Sequence, residues 1–310
     1  MVLRQRRLGV LGAILVGSEP MSTKQAAPPL PEPLRVPVAD SHTHLDMQTG
    51  STVEEALAKA ASVGVTTLVQ VGCDLKGSHW AARTAAAHDG VHAAVALHPN
   101  EAPRIVLGDP DGWSRQDGRE PGGDTALDDA LAEIDALAAL PHVRAVGETG
   151  LDYFRTGPEG VAAQERSFRA HIEIAKRRGK TLVIHDREAH ADVLRILAEE
   201  GAPERTVFHC YSGDAEMAEV CAAAGYYMSF AGNVTFKNAQ PLRDALTVAP
   251  LGLVLVETDA PFLTPAPYRG RPNAPYLIPV TLRAMADVKG IGEDAMAEAI
   301  SRNTAHAFGY

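Results

Sequence analysis

The chain has 310 residues, of which 45% are hydrophobic and 22% charged, a profile of an ordinary globular protein long enough for one α/β barrel. Its formal net charge of -10 excludes a protein that coats nucleic acid with a basic face, but not an enzyme that handles a phosphate at one local site. Three cysteines (Cys73, Cys210 and Cys221) are too few and too scattered for a disulfide framework or a Cys-rich zinc site, so a reducing cytoplasm is the expected setting.

In chain order, Arg4, Arg6 and Arg7 precede the apolar run from Leu8 to Val16. That run is too short to span a bilayer, and no small-x-small cleavage site follows it. Residues 1–35, with a second start at Met21 and a Pro-rich stretch from Pro28 to Pro37, read as a disordered tail ahead of the folded chain. From there, short β-rich apolar runs alternate with Ala-rich helical segments. Strands are expected at 40–44, 68–72, 95–98, 143–148, 182–185, 207–209, 227–230 and 253–257. Helices are expected at 53–63, 78–88, 125–140, 161–178, 189–200, 215–224 and 239–248, with two more at 276–289 and 292–308. Runs such as Leu253-Val254-Leu255-Val256 suit strands buried on both faces. Eight such units predict a (β/α)8 TIM barrel over residues 36–310, with its site at the carboxyl ends of the strands. The Gly- and Asp-rich stretch 108–123 reads as a surface insertion. The 265–275 loop, with Arg269 and Arg271, is placed to meet substrate.

The polar residues at the strand ends carry the functional argument. His42 and His44 are one strand step apart and therefore face the same way. His98, Glu148, His185, His209 and Asp259 each follow an apolar strand, where a barrel turns side chains into its mouth. One such residue is compatible with a satisfied core histidine. Imidazoles and carboxylates from six strand ends, buried together, call for pairing or a metal ion. Arg187 shares the face of His185, where a guanidinium can grip a phosphate, or form a salt bridge to Asp186 or Glu188. Cys210, next to His209, is expected to face away from the mouth as core.

His42-Thr43-His44, Gly147-Glu148-Thr149-Gly150-Leu151-Asp152, His185-x-Arg187, His209-Cys210-Tyr211-Ser212-Gly213 and Glu257-Thr258-Asp259-Ala260-Pro261 together resemble the motif set of TatD-like metal-dependent hydrolases. These are amidohydrolase-type barrels with DNase and exonuclease activity. The likeness runs from about Val38 to the closing segment from Asn303 to Gly309, and Tyr211 stands where the family more often has Phe. It implies two divalent ions (Mg, Mn or Zn), with His42, His44 and Asp259 on one, His185 and His209 on the other, and Glu148 bridging. Glu148 and Asp259 are then the catalytic carboxylates, and His98 and Arg187 contact substrate. Asp46 and Asp152 are expected to orient ligand histidines. Two carboxylates set against two dications leave positive charge for an activated water and one phosphodiester anion.

The expected activity is metal-dependent phosphodiester hydrolysis by a metal-activated water. A 3′→5′ exonuclease or deoxyribonuclease acting on DNA or RNA ends is expected, in a monomer without a membrane partner. The alternatives are hydrolysis of another ester, such as that of a D-aminoacyl-tRNA, or a non-catalytic metal-binding scaffold. A carbamylated-lysine bridge is disfavoured, because Glu148 stands at the bridging strand end and no lysine is near it.

Overall fold

A strand-turn-helix unit recurs along the whole described chain of this computed structural model, which covers residues 26–108 and 120–310. The strands are β1 (Val38–Thr43), β2 (Val65–Gly72), β3 (Val91–Val95), β4 (Val143–Asp152), β5 (Thr181–Arg187), β6 (Thr206–Phe208), β7 (Tyr227–Phe230) and β8 (Val254–Val256). Each pairs in parallel with the next in one eight-stranded sheet. The circle closes where β1 meets the residues after β8: the His44 N–H donates to the Ala260 carbonyl (2.8 Å) and the Asp259 N–H to the His42 carbonyl (2.9 Å). The fold is the expected (β/α)8 TIM barrel.

The helices are α1 (Val53–Ser62), α2 (Leu75–Ala87), α3 (Glu101–Leu107), α4 (Gly123–Ala138), α5 (Pro158–Arg178), α6 (His190–Glu200), α7 (Ala215–Ala223), α8 (Gln240–Val248), α9 (Ile278–Lys289) and α10 (Glu293–Phe308). Local chemistry starts several of them. Thr52 and Glu55 form a capping box at α1, and the Asp74 and Asp214 carboxylates accept the Gly77 and Met217 N–H groups at the starts of α2 and α7. The short α3 was not expected from the sequence, because seven residues containing Pro103 give too little periodicity to register. No helix among the described residues is long and apolar enough to cross a membrane.

Two layers of core follow from the two faces of the strands. The larger lies between sheet and helices, around Leu68, Phe168, Ile184, Phe208 and Leu282. A smaller one, with Val69, Val71, Ala94, Ala145, Val183, Val207 and Leu255, fills the inside of the barrel. Phe308 of α10 joins this inner layer near the start of β5, where Thr181 Oγ1 donates to the Ala307 carbonyl. The inner layer fixes what reaches the mouth. Continuing the period-two pattern from Val71, Val183, Val207 and Leu255 leads to Cys73, His185, His209 and Glu257.

One boundary differs from expectation. Residues 28–34, read as part of the tail, run along the barrel: Tyr276 Oη donates to the Pro28 carbonyl (2.8 Å), and buried Leu34 donates its N–H to the Val63 carbonyl (3.0 Å). A Pro-rich run carries no periodic pattern, so its docking left no trace in the sequence. The tail up to residue 25 and positions 109–119 of the insertion lie outside the described residues.

His171, buried on α5, accepts the Leu97 N–H at Nε2 (3.1 Å) and donates from Nδ1 to the Ser167 carbonyl (2.7 Å). Burial pushes its pKa down to about 4. Between pH 6.5 and 4 the unfolded chain therefore takes up a proton that the folded chain refuses. Stability falls as the pH drops through this window, by about 3 kcal/mol from this group. Urea titrations across that range are expected to give a steeper acid loss for the natural chain than for His171→Gln, by close to one proton.

Candidate metal centre

Four histidines and two carboxylates from five strands (β1, β4, β5, β6 and β8) meet at the mouth of the barrel. His42 and His44 leave β1 on the same face, with their Nε2 atoms 3.2 Å apart. Asp259 Oδ1 lies 3.9 Å from His42 Nε2 and 3.5 Å from His44 Nε2. Glu148, on β4, turns Oε1 toward this pair, at 3.8 and 3.7 Å. Its other oxygen, Oε2, faces a second pair: His209 Nε2 at 2.7 Å and His185 Nδ1 at 3.4 Å, those two nitrogens being 3.4 Å apart. The glycine two residues on makes this possible. Gly150 adopts φ +131°, and a Cβ there would stand 2.1 Å from the His185 carbonyl oxygen.

The outer nitrogens of three of the four histidines also face acceptors, whereas His42 Nδ1 is buried with no hydrogen-bond partner among the described residues. His44 Nδ1 lies 3.1 Å from the Val71 carbonyl, His185 Nε2 lies 3.3 Å from Asp152 Oδ2, and His209 Nδ1 lies 3.3 Å from Glu257 Oε1. Asp40, fully buried, accepts the His42 N–H (3.2 Å) and the Thr258 N–H (2.9 Å) on one oxygen and so ties β1 to the chain beyond β8. Burial pushes its pKa up to about 8, against the hydrogen bonds from Thr258.

The ion-free electrostatics are frustrated. Burial drives His42 well below the usual imidazole value, with His209 adding to the effect. Burial also opposes charge on His44 and His209, yet both are held well above that value, by Cys73 and Asp259 for His44 and by Glu148 and Glu257 for His209. Glu148 is held well below the carboxylate range because His209 and His98 outweigh the cost of its burial. Like-charged imidazoles thus crowd one carboxylate. A dication bound at about 2.1 Å to nitrogen and oxygen sets neighbouring donors about 3.0–3.5 Å apart. Most of the spacings above fall in or near that range, and neutral imidazoles with carboxylates are the donors that Zn, Mn or Mg ions take. The residues fit the binding of divalent metal ions.

A cavity of about 750 Å³ opens over these groups, lined among others by His98, Asn100, Asp152, Arg155, Arg187 and Phe262. His98 accepts the Asn100 N–H at Nδ1 (3.0 Å), which leaves its proton on Nε2, and burial pushes its pKa down to about 3. The Arg187 guanidinium lies 3.8 Å from the centre of the Phe154 ring, a stacking contact in place of the considered salt bridge to Asp186 or Glu188.

Three expectations need correction. Among the described residues Asp46 touches none of these histidines; it accepts from Gln70 Nε2 (2.8 Å), and the Val71 carbonyl takes the place foreseen for it. Arg269 and Arg271 turn onto Phe236 and Tyr268, while Phe262 and Leu263 reach the cavity from that side. Cys210, at φ +41°, lines the cavity, because the chain leaves the strand geometry just after His209. Glu257 and Cys73 were overlooked, although both stand at inward parity one step beyond an apolar strand residue.

The family model described as TatD related DNase matches residues 39–309. The chain belongs to this family. Among TatD-family relatives, the metal-dependent hydrolase TatD of Mycobacterium tuberculosis is 41% identical over 279 residues, covering 88% of this chain and 98% of that one. The metal-dependent hydrolase YcfH of Escherichia coli is 36% identical over 276 residues, covering 87% and 95%. The crystal structure of the TatD homolog YjjV from Escherichia coli superposes with a TM-score of 0.75 at 25% identity, covering 88% of this chain and 98% of that one. This TatD-family chain is therefore a metal-dependent hydrolase.

Because Glu257 Oε1 faces His209 and also accepts the Cys210 N–H (2.8 Å), removing its charge should loosen the His185–His209 group without unfolding the barrel. Glu257→Gln is expected to weaken zinc binding about tenfold in competition with a chromophoric chelator, at nearly unchanged melting temperature.

Proposed function

We propose that this chain hydrolyses phosphodiester bonds with two divalent ions and an activated water, as a 3′→5′ exonuclease or deoxyribonuclease in the cytoplasm. The observation that carries the reading is the division of Glu148 between two donor groups, Oε1 toward His42 and His44, Oε2 toward His185 and His209. In this reading His42, His44 and Asp259 would hold one ion and His185 and His209 the other, with Glu148 shared between the two groups. Such ions supply a lowered water pKa and a clamp on the attacking and leaving oxygens of an in-line displacement.

The chain's own residues supply the rest. Asp259 is only slightly open to solvent and follows β8 directly above the His42–His44 pair, where its carboxylate orients the attacking water and takes its proton. His98, neutral and with its proton on Nε2, donates to a non-bridging phosphate oxygen from the cavity wall. Arg187, held against Phe154, offers a planar cation to the same anion. Phe262 lines the cavity with half of its surface exposed, which suits stacking of an unpaired base. A net charge of -10 disfavours wide contact with duplex, so substrate is taken from frayed or single-stranded ends.

The test is a matrix of metals against labelled single-stranded DNA, blunt duplex, RNA and D-aminoacyl-tRNA. Thorough chelation is expected to abolish phosphodiester cleavage, and single strands with free 3′ ends are expected to be degraded faster than blunt duplex. Equal rates on the two would refute the end-threading reading, and preferential deacylation of the tRNA would move the reaction to a carboxylic ester. Glu148→Gln and Asp259→Asn should each lower kcat/KM by about 10³-fold or more. Cleavage at the natural rate by either variant would overturn the assignment.

A further inference from the structure

The ligand set proposed above draws nothing from β2, yet that strand delivers a side chain to the same place. Cys73 follows β2 at the inward parity of Val69 and Val71 and lines the cavity. Its Sγ donates to Glu148 Oε1 across 3.2 Å and lies 3.8 Å from His44 Nδ1. Oε1 is the oxygen turned toward His42 and His44, so the sulfur borders one donor group and not the other. Donor atoms of His44, Cys73 and Glu148 all lie within 4.8 Å of one another. Cys210 lines the cavity but joins no such group among the described residues, and Cys221 is buried in α7.

We propose that Cys73 is a further metal ligand, grouped with His44 and Glu148, and that it makes this position selective for thiophilic dications such as Zn, Co or Cd over Mg and Mn. The inference rests on the metal-centre reading above. A dication bound to sulfur at about 2.3 Å and to oxygen at about 2.1 Å sets the two about 3.1–3.6 Å apart, and the observed 3.2 Å lies within that interval. On coordination the S–H bond would break heterolytically: the proton would go to solvent and the electron pair stay on sulfur, which would share it with the ion as a thiolate ligand, with no change of oxidation state. Hard ions gain little from sulfur and leave Cys73 as an S–H donor on Glu148. Selection thus comes from the ligand's softness within an otherwise nitrogen- and oxygen-donating set.

Cobalt(II) provides a readout independent of catalysis. Thiolate coordination adds a near-ultraviolet charge-transfer band, whereas bound cobalt of any ligation gives visible d–d bands. In the full chain, and in the Cys210→Ser/Cys221→Ser double variant whose only thiol is Cys73, the charge-transfer band should grow in step with bound cobalt. Cys73→Ser should lose that band, keep the d–d bands, bind zinc about tenfold more weakly and bind manganese within about twofold of the natural chain. Visible bands without a charge-transfer band in the natural chain would overturn this inference and leave the metal-centre reading standing. A band that persists in Cys73→Ser would overturn it equally. Failure to take up cobalt at all would sink both. The natural chain's own spectrum decides the matter even where a variant does not fold.

Discussion

Imidazoles and carboxylates can be withdrawn from water at the mouth of this barrel only where each meets a group of complementary character, and the architecture of the site follows from that constraint. Glu148 is the clearest instance. A lone buried carboxylate would be neutralised, but the imidazoles around it, His209 foremost, keep it ionised, and its two oxygens are shared between two histidine pairs. The same constraint repeats one layer out, where Asp152 faces His185 and Glu257 faces His209.

These outer contacts also hold the barrel in shape. Asp40 accepts from the backbone of both His42 and Thr258, so the residue that orients one strand end also locks the closing seam. Glu257 does the same between β8 and the turn after β6, by accepting the Cys210 N–H. Stability and function are coupled here. The buried charges that make the mouth electrostatically costly are also the ties between neighbouring strand ends, and a cation among the inner donors would relieve the repulsion among the histidines.

Much of this was legible in the sequence because a strand has a period of two. His42 and His44 converge as their spacing predicts; His185 lies within β5, His209 directly follows β6 and Asp259 comes three residues after β8, in line with runs such as Val183-Ile184 and Val207-Phe208. The same rule would have found Cys73 and Glu257, had inward parity been followed through Val71 and Leu255 and not only through histidines. Other features obey no local rule. The partner of Asp46 is a glutamine on the neighbouring strand, a matter of register across the sheet. Cys210 departs from alternation because its backbone turns into the left-handed region, and the docked stretch 28–34 carries no periodic pattern. Backbone carbonyls such as that of Val71, which meets His44, are identical in every sequence and so cannot be read from one.

The seam between the first and last strands has a bearing on how the molecule comes into being. His42 and Asp259, neighbours in space, are separated by most of the polypeptide, and Asp40 finds its Thr258 partner only across that same interval. A nascent chain leaving the ribosome holds the two histidines of β1 early but lacks their acidic counterpart until the eighth strand has emerged and docked. The complete donor set is therefore absent from every nascent polypeptide that stops short of Asp259.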